Sequence, residues 1–247
     1  MKDDLFISDL PLRRAARVEV RSAVGHTGFP PRPTTIALAV CALLGAGGPA
    51  WAACTAVPSG AVPDVNGILA PQSSDTVTCS GTSTESVSNA AATGVTANVT
   101  GSLTPPTYTN TTVFSRPAVS LGAGASVTND GTITLGNPIV TNEGAITLRG
   151  AGNSVVNNGT IDVTGSAAIQ GALSGERATG AVVLNTGTIR VDSKTNAAVV
   201  LGESAQLTNS GRIELTSLLT TNGNRALEVG ENSRVENQAA GVIRASE

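Results

Sequence analysis

The sequence is short of the side chains on which most folds and most active sites depend. It holds one histidine, one tryptophan, one tyrosine and three phenylalanines in 247 residues. The histidine is His26, and none follows it. A Ser-His-Asp triad, a His-ligated metal and a Cys-His nucleophile all require imidazole. None of them can be assembled from the residues after position 26. Charge is scarce as well, at 13% of residues with a formal net charge of −3, which disfavours nucleic acid and anionic membrane surfaces as partners. With so little aromatic volume, a globular core of ordinary shape is a poor expectation. A thin core of small β-branched residues does not need that volume.

The strongest apolar run is nine residues, Ile36-Ala-Leu-Ala-Val-Cys-Ala-Leu-Leu44, too few to span a bilayer. Arg13, Arg14, Arg17, Arg21 and Arg32 precede it, and Ala50-Trp51-Ala52 follows. Basic region, apolar run and A-x-A site in that order form an export signal. Residues 1–52 are therefore expected to be a cleaved signal peptide with an extended basic region, read by the Sec translocon. Trp51 argues against a lipoprotein signal ending at Cys54. Removing 1–52 takes six of the 15 Lys and Arg and four of the 18 Asp and Glu, leaving nine cations against 14 acids, net −5. Two cysteines remain, Cys54 and Cys79. In an oxidising compartment they read as one disulfide closing a short N-terminal loop, worth about 3 kcal/mol in the loop-entropy model.

What the chain has in abundance is self-similarity. A frame of aliphatic-x-Asn-x-Gly-x-Ile-x-aliphatic recurs with Asn129 and Gly131, Asn142 and Gly144, Asn157 and Gly159, Asn185 and Gly187, and Asn209 and Gly211. A sixth copy, Asn237 and Gly241, carries two extra residues between Asn and Gly. Repetition of this kind is the signature of a solenoid. Each named position lies two residues from the next, which is strand periodicity with all of them on one face. The other parity is mostly polar, as in Thr128, Asp130, Thr132 and Thr134. An unpaired buried amide costs about 1–3 kcal/mol, so each Asn should bond the Asn or backbone of the turns above and below. The Gly then fits a bend where φ is positive or where no side chain has room. Antiparallel Asn-Gly hairpins do not explain why the same order of residues recurs in one direction.

Successive Asn positions are separated by 13, 15, 28, 24 and 28 residues. One coil is read as 24–28 residues, with Asn142 a half-coil echo. A second motif, an apolar run ending in Gly122, Gly202 or Gly230, supports this length, since 230 − 202 is 28 and 202 − 122 is 80, close to three coils. Three strands of about five residues per coil give about five coils in residues 118–247. Residues 53–117 read as an N-terminal cap rich in Thr and Ser, with one strand-like alternation at Val95, Ala97, Val99, Gly101 and Leu103 ended by Pro105-Pro106. Residues 172–180 and 216–225 read as loop excursions.

Catalysis would have to rest on carboxylates. The candidates are Asp130, Glu143, Asp162, Asp192, Glu203, Glu214, Glu228 and Glu231, all on the polar parity or in turns. There they are better explained as solvated charge that keeps a rod soluble. Tyr108 and Phe114 are the only aromatics after Ala52, a poor platform for sugars. No enzyme, metal or cofactor is expected; Gly122-Ala-Gly124 has no helical pattern after it to complete a phosphate loop.

The repeated Val-Thr-Asn-Asp-Gly-Thr-Ile, Val-Thr-Asn-Glu-Gly-Ala-Ile and Leu-Thr-Asn-Ser-Gly-Arg-Ile, the long basic signal and the cysteine pair after it resemble the passenger region of autotransporters, the type V secreted proteins of Gram-negative bacteria. The resemblance implies an all-β fold, a right-handed parallel β-helix displayed at the cell surface or released, in adhesion or virulence, with a host surface or matrix ligand. It also implies an outer-membrane β-barrel as partner. Barrel-like strands do not occur by Glu247, where the frame is still running, so the chain reads as an N-terminal fragment of such a protein. The alternatives are a two-partner secretion exoprotein served by a separate barrel, and a carbohydrate-active β-helix enzyme.

Overall fold

Inward aliphatics at a period of two make strands, and polar corners turn the chain before any described strand exceeds five residues. The computed structural model describes residues 53–106, 116–136, 143–173, 176–193, 197–216 and 225–246. The signal region with His26, together with Asn142, Tyr108, Phe114 and residues 217–224, lies outside them. The described chain forms a parallel β-solenoid with three sheets, here called faces A, B and C. Each rung passes from B to A to C.

Face A stacks Thr76–Cys79, Thr96–Val99, Ser126–Asn129, Ser154–Asn157, Val182–Asn185, Gln206–Asn209 and Arg234–Asn237. Face C stacks seven strands from Thr82–Ser83 to Val242–Ala245, and face B seven from Ile68–Leu69 to Leu227–Val229. Every neighbour within these stacks is parallel. Six steps of about 4.8 Å give a stack roughly 29 Å long.

Five rungs fall in residues 119–245, as the frame implies. Two more occupy residues 68–103, inside the segment read as a cap. Cys54–Val57 precedes the first rung of face A and departs from its parallel order. It pairs antiparallel with Thr76–Cys79 and covers the N-terminal edge of face A. The Asn column explains why those two rungs do not carry the frame. In register, Asn129 sits over Val99, and Val99 over Cys79. Apolar residues there need no hydrogen-bonding partner, so no Asn marks them. The half-coil echo also has a structural account. Register carries Asn129 directly to Asn157, while Ile146 and Leu148 of the intervening copy lie on face B. The excursion at 172–180 contains a two-residue antiparallel pairing, Ala172–Leu173 with Glu176–Arg177, and Ala178 is buried again.

The core is a set of columns running along the axis. Val77, Ala97, Val127, Val155, Val183 and Leu207 stack on face A, each 0 or 1% exposed. Ile133, Ile161, Ile189 and Ile213 do the same on face C, and Val119, Ile146, Ile169 and Val199 on face B. Each buried aliphatic contributes about 2 kcal/mol relative to exposure. The columns need only narrow side chains because opposite walls are close, which is why aromatics are dispensable.

One corner position adopts left-handed backbone in every rung, two residues before each face A strand. It is Ser74, Gly94, Gly124, Gly152, Gly180, Ser204 and Asn232, with φ from 57° to 72°. Its amide bonds the corner of the next rung, as in Gly124 N–H to Ala151 O at 2.8 Å and Ser204 N–H to Glu231 O at 2.8 Å. Non-glycine residues are strained there. Ser204→Gly is therefore expected to stabilise the chain by up to about 1 kcal/mol, net of the entropy glycine adds to the unfolded state. A higher thermal midpoint, read by circular dichroism, checks it.

Candidate functional site

At the corner between faces A and C the repeated Asn form a buried column, and Gly131, Gly159, Gly187 and Gly211 form a partly buried one beside it. Asn129, Asn157, Asn185 and Asn209 are 0% exposed. Each Nδ2 donates to the Oδ1 of the next Asn: Asn129 to Asn157, Asn157 to Asn185, Asn185 to Asn209 and Asn209 to Asn237, all at 2.7 Å. Each also reaches a backbone carbonyl of the next rung, for example Asn129 Nδ2 to Thr160 O at 3.1 Å and Asn185 Nδ2 to Arg212 O at 3.2 Å. Asn237 is exposed, and its Nδ2 turns back to Gly241 O at 2.8 Å. The last Asn therefore differs in burial from the four it follows.

The ladder has one loose end. Asn129 Oδ1 is buried and has no hydrogen-bond partner, because the residue above it is Val99. Val99→Thr keeps the branched shape and supplies an O–H in the same column. An ordinary buried Val→Thr change is costly because its hydroxyl must be desolvated. Here the hydroxyl donates to the orphan oxygen, so the expected cost is below about 0.5 kcal/mol, and Val127→Thr is the more damaging control. Parallel denaturant titrations compare the two.

For the Gly column the answer is room rather than φ. A Cβ on Gly131 would lie 1.9 Å from Gly101 O, one on Gly159 2.0 Å from Gly131 O, one on Gly187 2.1 Å from Gly159 O, and one on Gly211 2.0 Å from Gly187 O. None of the four has positive φ. Gly144 meets the Gln170 side chain instead, at 2.9 Å, in keeping with its place on face B. Asn and Gly thus serve the scaffold and leave little chemistry to offer a ligand.

The outward positions are where contact with anything else can occur. Face A presents Ser126 and Thr128, Ser154 and Val156, then Val182 and Leu184, then Gln206 and Thr208. Val182 and Leu184 are 47% and 36% exposed, and register places Leu184 beside Val156. This is an apolar row in the middle of an otherwise polar face. Face C carries a column that alternates in sign, Asp162, Arg190, Glu214 and Arg244. Glu214 is the enclosed member. It pairs with Arg212 and accepts from Arg244 Nε at 2.7 Å.

The carboxylates considered for catalysis are dispersed. Asp130 sits at a corner and accepts from Asn158 Nδ2 at 2.7 Å, and Glu143 pairs with Arg149 at 2.7 Å. Asp162 and Asp192 are exposed on face C strands, Glu203 and Glu231 lie at B-to-A corners, and Glu228 faces outward on face B, 3.8 Å from Arg225. Among the described residues, no three His, Cys, Asp or Glu side chains are grouped to hold a metal.

At the N-terminal end Cys54 and Cys79 form a disulfide between the antiparallel strand and the first rung. At the other end of that pairing Asp75 is enclosed, accepting from Ser59 N–H at 2.9 Å, Gln72 N–H at 2.7 Å and the Ser59 hydroxyl. The Ser59 hydroxyl is the main cause that holds the Asp75 carboxyl below its ordinary value of 3.8. Asp64 is lowered too, chiefly by the Ile68 backbone N–H. Both carboxylates bind protons less readily folded than unfolded. The stability they contribute is present above pH 3.8 and is lost as pH falls through the lower folded values. Acid is therefore expected to loosen the N-terminal end first, and Asp75→Asn to flatten that dependence. Melting curves on either side of that pH, for both proteins, check it.

Sequence reading found the inward columns but not the apolar row at Val156, Val182 and Leu184, although outward aliphatics in a frame of outward polar residues were a visible signal. No protein-family model, curated protein or solved structure matches the chain; the described residues stand on their own geometry as a parallel β-solenoid.

Proposed function

We propose that the chain is a non-catalytic passenger of a type V secretion system, exported through the inner membrane and displayed at the outer surface as an adhesive stalk. The observation that carries this reading is the division of labour in the solenoid. Inward positions repeat because they are scaffold, while outward positions vary from rung to rung and contain an exposed apolar row on face A. A rigid rod with a variable outer surface suits presentation to another surface, and exposed apolar rows are common contact sites. The sequence order of basic region, apolar run and A-x-A site supports export.

Two measurements test the reading. Expression in a Gram-negative host should yield an exported product whose N-terminus is Ala53, and cytoplasmic retention with residues 1–52 intact would overturn export. Display of residues 53–247 on a carrier barrel should confer binding to host cells or matrix that Val182→Thr combined with Leu184→Thr removes without changing the circular dichroism. Display without adherence would overturn the adhesive role.

A further inference from the structure

We propose that Glu85 binds the α-ammonium group that removal of residues 1–52 creates at Ala53, so that processing itself fastens the N-terminal strand. The inference rests on the cleavage reading, which makes Ala53 the first residue of the processed chain. One carboxylate carries it. Glu85 stands where the chain passes from Thr82–Ser83 on face C to Ser86–Asn89 on face B. Its Oε2 accepts from Cys54 N–H at 2.7 Å, across 31 residues of chain. Glu143, Glu214, Glu228 and Glu236 each have an arginine within ion-pair distance. Glu85 is half-buried, and among the described residues no Lys or Arg pairs with it. An enclosed carboxylate without a counter-charge is costly, and a cation delivered to this place relieves it.

Chain geometry brings the cation there. Backbone nitrogens of successive residues lie about 3 Å apart, so an amine on Ala53 falls beside the carboxylate that already holds the next N–H. Two successive nitrogens, one of them charged, then converge on one carboxylate, which is a form of terminus capture. Neither partner has to travel. Glu85 is pinned by its own N–H, which donates to Ser83 Oγ at 3.2 Å. The following residue is pinned too, since Ser86 N–H donates to Gly67 O at 2.9 Å and the Ser86 hydroxyl to Pro117 O at 2.6 Å. Cys54 is fixed by its disulfide to Cys79, the residue opposite it in register. Before cleavage the Ala53 nitrogen is an uncharged amide. Afterwards it offers a charge-assisted hydrogen bond, about twice as strong as a neutral one. The far end of the strand is served separately by Asp75, which holds Ser59. Cleavage therefore acts on the Cys54 end alone.

The test compares the full chain before and after a cut made in solution. A protease recognition sequence replaces the residues just before Ala53, chosen so that the cut leaves Ala53 first. After the cut, an acylating reagent at pH 7 should label the α-amine about tenfold more slowly in the parent than in Glu85→Gln. Pairing with the carboxylate raises the amine about one unit above its ordinary value of about 7.8. Glutamine keeps an oxygen for Cys54 N–H and loses only the charge. Hydrogen exchange of the Cys54 to Val57 amides should slow about fivefold on cutting in the parent and stay unchanged in Glu85→Gln. Because the folded value of the amine is the higher one, this protection is full below about pH 7.8 and is lost as pH rises through that folded value. Glu85 is the charged side chain bonded at this end of the strand, Asp75 serves the other end, and Cys54 and Cys79 do not titrate. Equal labelling in the two proteins overturns the proposal. So does exchange that ignores the cut, which is the result expected if Glu85 only accepts from Cys54. A cellular product that retains residues 1–52 would overturn the export reading instead, and these two readouts would still decide the pairing.

Discussion

Gly159→Ala is expected to cost about 4 kcal/mol, at the top of the range for a single substitution. The added methyl would sit 2.0 Å from the Gly131 carbonyl oxygen and 2.9 Å from that residue's amide nitrogen and carbonyl carbon. All three are backbone, so no rotamer change can relieve the clash. The two rungs would have to separate, yet Gly159 N–H bonds Asn129 O at 2.9 Å and Thr160 N–H bonds Gly131 O at 2.9 Å across the same gap. Separation would break these bonds and stretch the Asn ladder beside them. A thermal midpoint lower by roughly 10 °C follows for a domain of this size. Gly152→Ala provides the contrast. Its methyl would meet nothing within 4 Å, but its φ is +72°, so it should cost only the 1–2 kcal/mol or so of left-handed strain. If the two variants melt together, the carbonyl stack is not the reason for the glycine column.

Asn157→Ala is the second large effect, at about 3–4 kcal/mol, because it strands two buried groups at once. Asn185 Oδ1 loses its donor, and Asn129 Nδ2 keeps only Thr160 O at 3.1 Å. Asn157→Asp distinguishes a hydrogen-bond account from one of shape. The ionised carboxylate still accepts from Asn129 but faces the Asn185 oxygen with no proton to give, in a buried site. Protonation restores the missing donor. The folded state therefore binds that proton more tightly than the unfolded state, and the variant gains stability relative to the parent as pH falls. Denaturant midpoints across the acid range check the direction, and a pH-independent deficit would mean that volume, not the ladder, is what Asn supplies.

Much of this architecture is legible in the residues because a solenoid writes its geometry into the sequence at a fixed period. Parity alone places Asn129, Asn157, Asn185 and Asn209 inside, and the repeat spacing sets five rungs. Two things are not legible. The rungs at 68–103 escape because Val99 and Cys79 fill the Asn column without needing a partner, so they leave no polar mark. The role of the glycines divides between two explanations until coordinates separate them. At the corner into face A it is left-handed φ, and in the Asn-x-Gly column it is the carbonyl one rung away. Ligand contact is less legible still. It depends on outward residues such as Val182 and Leu184, which no packing rule fixes, and that freedom is what lets such a surface change its target without disturbing the rod.

The amide ladder has a direction, and direction gives it an electrical character. Backbone N–H and C=O groups of a parallel sheet point alternately up and down the stack, so their dipoles largely cancel along the axis. The side-chain amides of Asn129, Asn157, Asn185 and Asn209 do not alternate: each Nδ2 donates toward the C-terminal end, to the Oδ1 of the next Asn. They add in series, as peptide dipoles do in a helix, and each bond polarises the next. The interior therefore contains a polar wire, with its negative pole at the unpartnered oxygen of Asn129 and its positive direction toward Asn237. A rung inserted upside down would break the series, so the wire also records which way the stack was built.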